Sequence, residues 1–534
     1  MEKMAMLGNS LLEGTVLFVS SFLLFAWLYF WYKFSYWQRR GVPHSKPTMI
    51  FGSYKDCVLQ KECVGQFMQR MYNEGVGKRF FGCYVFTRPA LVLRDPELMK
   101  EILVKEFNTF FNRNAQSNHQ KDPLSQNLFL IKGELWRHLR LKMSPIFTSF
   151  RLKQMFPLIN TCGKQLCQYV ERSDKQIEMK EVAGKYATDV ITTCAFGIES
   201  NSLLNPNAEF REFGRKIFDF SVYRSFEFMS AFMLPLVAKL MGITFFSRET
   251  TKFMRKTFWE TIQEREEKKI ERHDFLELLI KLKNGKDITN EKSMKNGLST
   301  ETLNGTTDVS NGIMKDSKPI QLEGDILVAQ AAIFFTAGFE SNASTTSFTL
   351  YELAMQPHLQ TRLREEILHT LDKNEGQFTY EAIRDMEYLH MVISETLRKF
   401  PPLPILDRVA ERDYVIPGTD ITIEKGTTVY VPLLGIHMDP EVFPDPEHYD
   451  PERFNEKNRK ARHPFMYLPF GEGPKYCIGK GFGLIASKVA VANVLANFIV
   501  SPCADTPSSI QLNPKAMILA ARGGIRLKFT KLNR

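Results

Sequence analysis

The sequence predicts a mainly helical protein with one N-terminal membrane-spanning helix, and three observations carry that prediction. Gly14 to Tyr32 is a run of 19 residues without a charged side chain. Ile326 to Leu350 is a long stretch rich in Ala, Phe, Ile and Leu. Met386 to Leu397 repeats apolar residues at the spacing of one helix face. A hydrophobic fraction of 44% is ample for a large core, and the 534-residue length alone would suggest three or four domains. The 8 cysteines lack the paired spacing of zinc sites and fit a reducing compartment better than a disulfide scaffold.

The apolar run at 14–32 is close to the roughly 20 residues that a helix needs to cross a hydrocarbon core of about 30 Å. Trp27, Tyr29, Trp31 and Tyr32 crowd its C-terminal end, as at a membrane interface. Lys33, Arg39, Arg40 and Lys46 follow it, whereas only Lys3 precedes it, so the positive-inside rule puts residues 1–13 in the lumen and the bulk of the chain in the cytoplasm. A cleaved signal peptide is the alternative, but the run is long for one and no small-residue cleavage site follows. Residues 33–47, with Gly41-Val42-Pro43-His44-Ser45-Lys46-Pro47, read as a stiff basic hinge.

Further along, Gly133 to Met143 reads as a helix with Trp136 and Arg140 one turn apart, a pairing that amphipathic helices also produce by chance. Phe226 to Phe246 is rich in Phe, Met and Leu and reads most simply as a core helix. Residues 284–319 are rich in Asn, Gly, Ser, Thr and Lys and read as a mobile loop. Asn304-Gly305-Thr306 within it is a glycosylation sequon by pattern only, since a cytosolic loop would not be modified. The long helix then carries Ala337-Gly338-Phe339-Glu340-Ser341, with Ala337, Glu340 and Ser341 assigned to one face. Gly338 costs about 1 kcal/mol there relative to Ala, so it needs a reason; otherwise the helix is a buried one with a polar stripe.

Glu395 and Arg398, three apart on the next helix, would alone be a surface pair worth roughly 0.2–0.5 kcal/mol. Pro401-Pro402 ends that helix, and Pro451-Glu452-Arg453-Phe454 follows. Phe470 to Gly479 reads Phe-Gly-Glu-Gly-Pro-Lys-Tyr-Cys-Ile-Gly, whose glycines and proline suit a tight loop holding Cys477 at a fixed angle. An isolated cysteine in such a turn would be a buried structural thiol.

The spacing Phe470-x-x-Gly473-x-x-x-Cys477-x-Gly479 resembles the haem-thiolate loop of the cytochrome P450 superfamily, and Glu-Thr-Leu-Arg at 395–398, Pro-Glu-Arg-Phe at 451–454 and Ala-Gly-Phe-Glu at 337–340 extend the resemblance over nearly the whole chain. The resemblance implies a mainly α fold with small β-sheets, the cytochrome P450 fold, in one large catalytic domain over residues 48–534. It implies haem b, with Cys477 as the proximal iron ligand. Glu395, Arg398 and Arg453 would form a buried triad behind that loop. Ala337 and Gly338 would make room for a diatomic ligand through a local widening of the helix, and Glu340 and Ser341 would deliver protons. Trp136, Arg140 and Arg408 would contact the haem propionates, with Lys475 beside them in the loop. Three departures stand out: Ser341 where the family usually has Thr, Lys475 where Arg is usual, and Gly481 where Arg is common.

With the anchor, Phe482-Gly483 and Arg522-Gly523-Gly524, the chain looks most like insect microsomal members that oxidise plant toxins and insecticides. That implies a monooxygenase in the endoplasmic reticulum membrane, facing the cytoplasm and using NADPH indirectly through NADPH–cytochrome P450 reductase, with cytochrome b5 as a further partner. Its substrate would be small and apolar. Candidate pocket residues carried over by position are Arg113 to Leu130, Phe334, Phe335, Ala337, Leu403 to Leu406 and Met517 to Leu519, and Phe226 to Phe246 would be a flexible roof that dips into the membrane. A net charge of +10 suits an anionic membrane surface and an acidic redox partner. No basic run with interleaved aromatics supports a nucleic-acid partner. Hormone or fatty-acid oxidation is the alternative within the same chemistry, and a reductase-independent haem isomerase or sensor is the alternative outside it.

Overall fold

The computed structural model describes residues 2–173, 176–205, 207–218, 221–285 and 322–533. The segment expected to be a mobile loop therefore lies outside the described residues, apart from Asn284 and Gly285, which follow the helix Phe275–Lys283.

Helix α1 (Glu2–Phe34) contains the apolar stretch Leu11–Phe34, none of whose spanning window is buried against the rest of the fold. The basic segment after it is not a free hinge. Trp37 is 1% exposed, its indole Nε1 donates to the Cys83 carbonyl at 3.0 Å, and the Tyr84 hydroxyl donates to the Phe34 carbonyl at 2.7 Å. Gly82 is what admits the indole, because a Cβ there would lie 2.8 Å from the Trp37 ring. Pro43 and Ser45 hydrogen-bond to Gly82, so the expected hinge docks on the first strand. Buried indole and backbone pairing outweigh the stiffness and charge that suggested a linker.

The remaining chain is helical with three small sheets, as the resemblance implied. Strands β1 (Phe80–Val85) and β2 (Arg88–Leu93) form a hairpin, and with β4 (Leu406–Val409) and β7 (Thr428–Val431) they give a four-stranded sheet of order β1-β2-β7-β4. The β2–β7 pair is parallel and the others antiparallel. A three-stranded sheet joins β3 (Gln176–Glu178), β9 (Arg526–Lys531) and β8 (Phe498–Pro502), and β5 (Tyr414–Val415) pairs with β6 (Thr422–Ile423).

Eight further helices position the site: α2 (Gly133–Met143), α3 (Ser149–Arg172), α4 (Met179–Ala195), α5 (Val222–Met233), α6 (Arg248–Lys268), α7 (Asp325–Met355), α8 (Glu387–Lys399) and α9 (Lys480–Asn497). Helix α7, 31 residues long, runs through the core and is buried on almost every side, which explains its nearly continuous apolar sequence. Small residues let helices approach: a Cβ at Gly163 of α3 would lie 2.8 Å from Val489 of α9, and one at Gly338 of α7 would lie 2.9 Å from Ile191 of α4.

Helix α8 supplies the buried ion pair. Arg398 donates Nε to Glu395 Oε2 at 2.6 Å and Nη2 to Oε1 at 2.7 Å, with both side chains fully buried, and Arg453 Nε lies 3.5 Å from the same carboxylate. The solvent-exposed value for such a pair does not apply here, since removing one member strands a charge in the core and costs roughly 3–5 kcal/mol.

Candidate functional site

Between α7 and the loop 470–479 lies an internal cavity of about 320 Å³. On the α7 side its wall includes the stripe Ile333, Ala337, Ser341 and Thr345, four residues apart and therefore on one helix face, flanked by Phe334, Thr336 and Asn342. The Ser341 hydroxyl donates to the Ala337 carbonyl one turn back at 2.6 Å. Helix α7 is continuous α-helix through this point.

Two residues of the 337–341 segment that were expected to serve the cavity are elsewhere. Glu340 is buried beside α4, where its carboxylate meets Lys180 Nζ at 2.6 Å, and it does not line the cavity. Gly338 also turns away from the cavity, and the steric demand it meets is the close packing of α7 on Ile191 rather than room for a small ligand. Phe335 likewise packs into the core against Phe210 and Phe339, whereas Phe334 lines the cavity.

The opposite wall is the loop. Gly471 and Gly473 have φ of 70° and 73°, in the left-handed region that suits glycine. A Cβ on Gly473 would lie 2.1 Å from the Leu103 carbonyl oxygen, so this glycine lets the loop seat on the residues behind it rather than touch the cavity. Cys477 N–H donates to the Phe470 carbonyl at 2.8 Å, closing the loop. Phe470 and Cys477 face the cavity; Gly479 does not, but it stands immediately before α9. Burial pushes the Cys477 thiol up, while the Gly479 N–H and the charges of Arg140, Arg113 and Lys480 pull it back toward thiolate. A position at a helix N-terminus favours the anion too.

One end of the cavity gathers cations. Trp136 and Arg140 come from α2, Arg408 from β4, Lys475 from the loop and Arg113 from the chain ahead of α2. Lys475 Nζ lies 4.1 Å from the centre of the Trp136 ring and 4.9 Å from that of Phe111, and the Arg140 guanidinium lies 4.5 Å from the Tyr476 ring. Arg140 Nη2 and Arg408 Nε are buried without a hydrogen-bond partner. Burial drives the Lys475 amine well below its ordinary value, with Arg113 and Arg408 adding repulsion, and burial and Arg113 bring Arg408 down to about 9. Buried cations with orphaned donors require an anion. The site thus fits a large apolar group that offers two carboxylates to the cations and a metal to the thiol, which is the form of haem.

The rest of the wall is mostly apolar. Phe218, Phe228, Phe232 and Phe245 cover one side, with Phe129, Leu403, Leu406, Met517 and Ile518 around them. Ile405 and Leu519, expected as pocket residues, are buried in other packing clusters. In the Phe226–Phe246 segment Phe228, Phe232 and Phe245 wall the cavity, while Leu236, Leu240 and Met241 are exposed. Sequence reasoning missed Phe218 as a wall residue and Arg113 as a member of the cation cluster, taking it only as the start of a pocket loop.

A helical fold holding a thiol against such a cavity defines the class of haem-thiolate proteins. Comparison with known proteins agrees: the family described as Cytochrome P450 matches residues 42–529. The chain is 50% identical over 526 residues to Cytochrome P450 6k1 of Blattella germanica, covering 98% of each sequence. It is 39% identical over 531 residues to Probable cytochrome P450 6g2 of Drosophila melanogaster, covering 97% of this chain and 98% of the relative. It is also 36% identical over 504 residues to Cytochrome P450 6j1 of Blattella germanica, covering 94% of each. This chain belongs to the cytochrome P450 family, and membership implies a haem cofactor and oxidoreductase chemistry of the monooxygenase type.

Proposed function

We propose that the protein inserts one oxygen atom from O₂ into small apolar compounds, foreign toxins and insecticides among them, with NADPH electrons delivered by NADPH–cytochrome P450 reductase and cytochrome b5 as a second donor. The observation that carries this reading is a single thiol and four cations converging on one aromatic-walled cavity. Bound haem b supplies reductive activation of O₂. Cys477 Sγ would hold its iron, and Arg113, Arg140, Arg408, Lys475 and Trp136 would hold its propionates. Ser341 carries an exchangeable proton at Oγ on the facing wall. The phenylalanine rings exclude water and hold an apolar substrate by contact area alone, which suits a broad range of shapes.

In this reading residues 1–13 are lumenal, 14–32 cross the endoplasmic reticulum membrane, 33–47 fasten the anchor to the domain and 48–534 form the catalytic domain on the cytoplasmic side. The exposed apolar stretch Leu11–Phe34 supports it. Full-length protein reconstituted with the reductase in lipid vesicles should consume an apolar substrate only when NADPH is present and place one labelled atom of isotopic O₂ in the product. Turnover without NADPH would instead favour an isomerase.

A further inference from the structure

Asp122 is fully buried, and its carboxylate bonds to the backbone of the cavity's roof. Its Oδ2 accepts the backbone N–H groups of Phe245 at 2.8 Å and Phe246 at 3.1 Å, together with the Ser117 hydroxyl at 3.2 Å, while its Oδ1 has no partner. The two N–H groups immediately precede Ser247, the N-cap of α6, where the helix dipole favours an anion. On its own loop Asp122 is held firmly: its N–H donates to the Asn118 carbonyl at 2.8 Å, and its carbonyl accepts the Ser125 hydroxyl at 2.6 Å.

The roof's outer residues Leu236, Leu240 and Met241 are exposed, whereas Phe245 and Phe246 are buried. Phe245 is tied from both sides, for Asp122 takes its N–H and Arg224 donates to its carbonyl. Its ring stands 5.1 Å from that of Phe228, edge to face, and both line the cavity. Two lesser ties join the same loop to α5: Asn114 Nδ2 to the Phe232 carbonyl at 2.7 Å, and Gln116 N–H to the Ala231 carbonyl at 3.2 Å.

We propose that Asp122 is a positioning residue that clamps the aromatic roof through the backbone of Phe245 and Phe246, and so sets how long a bulky apolar ligand is held. The inference rests on the cavity being the substrate site of the monooxygenase. The clamp needs an acceptor oxygen rather than a charge, because no cation bonds to the carboxylate oxygen that grips the roof. Asp122→Asn keeps that oxygen and can place its amide where Oδ1 stands unpartnered, whereas Asp122→Ala removes both.

The test uses full-length holoprotein in lipid nanodiscs with two iron-ligating azoles, small imidazole and bulky clotrimazole, followed by their spectral shifts. In Asp122→Ala, clotrimazole should dissociate roughly tenfold faster, the size expected when two ordinary hydrogen bonds are lost. Imidazole should leave at the wild-type rate, and Asp122→Asn should behave as wild type. Amide exchange at Phe245 and Phe246, read by mass spectrometry, should accelerate in the alanine variant alone. Arg224→Gln frees the Phe245 carbonyl from the other side and should speed clotrimazole release as well, which tests the clamp even where Asp122→Ala does not fold. Unchanged clotrimazole release in both Asp122→Ala and Arg224→Gln, or unchanged exchange at Phe245 and Phe246 in Asp122→Ala, would overturn the clamp. Failure of the wild-type protein to bind either azole would instead overturn the haem reading on which it rests.

Discussion

Ser341 stands on the cavity wall with its hydroxyl turned back to the Ala337 carbonyl, which parks the proton without burying it. With Glu340 engaged by Lys180, the hydroxyl is the proton-bearing group that the 337–341 segment presents to the cavity. Ser341→Ala should therefore raise the peroxide released per NADPH while leaving haem binding intact. Ser341→Thr adds a methyl that narrows χ1 and should keep or improve coupling. Peroxide and product measured together decide between these. A second residue sets an acid limit on the fold. His437 is fully buried, accepts the Leu468 N–H at Nε2 over 3.1 Å, and is pushed down to about 3 by burial and by Arg398. The unfolded chain takes up this proton near pH 6.5 and the folded one does not, so stability falls as pH drops from about 6.5 toward 3. The loss from this group should be on the order of 3 kcal/mol by pH 4. Chemical denaturation of wild type and His437→Gln across that window should show a flatter slope in the variant.

At the scale of elements, Gly338 separates a packing role from a ligand role. A Cβ at 2.9 Å from Ile191 Cδ1 overpacks the α4–α7 crossing, so Gly338→Ala should destabilise by about 1–3 kcal/mol less the roughly 1 kcal/mol regained in helix propensity. Ile191→Ala in the same chain should remove that penalty, and a double-mutant cycle on thermal unfolding measures the coupling. Here lies the boundary of what the sequence shows. The thiol loop, the Glu395–Arg398 helix and the long apolar helix were legible because spacing and turn chemistry are local. The phase of α7 against its neighbours is not local, which is why Glu340 was placed on the cavity face, Gly338 was given a ligand role and Phe335 was put in the pocket. The docking of residues 33–47 was hidden for the same reason, since it depends on a glycine on a strand about 45 residues away in the chain admitting one indole. Arg113 carried no motif, and only the convergence of four separate segments marks it as part of the cation cluster.

For the whole molecule, anchor and domain are separable but not loosely joined. Deleting residues 1–32 removes the exposed apolar run and leaves Trp37 and Phe34 seated on β1. The truncated protein should fold with near wild-type stability and be released by alkaline carbonate, whereas the full-length protein should stay in the membrane. Trp37→Ala in the truncated protein should cost about 3–5 kcal/mol, as expected for emptying a buried aromatic site. The account as a whole stands on one juxtaposition, Cys477 facing a cavity that also gathers buried cations with orphaned donors. The reduced carbonyl spectrum of purified full-length protein tests it most directly. Wild type should show the red-shifted Soret band that thiolate ligation produces, and Cys477→Ala should lose that band together with NADPH-dependent oxidation. A variant that kept both would contradict the assignment of the thiol, and with it the reading of the site.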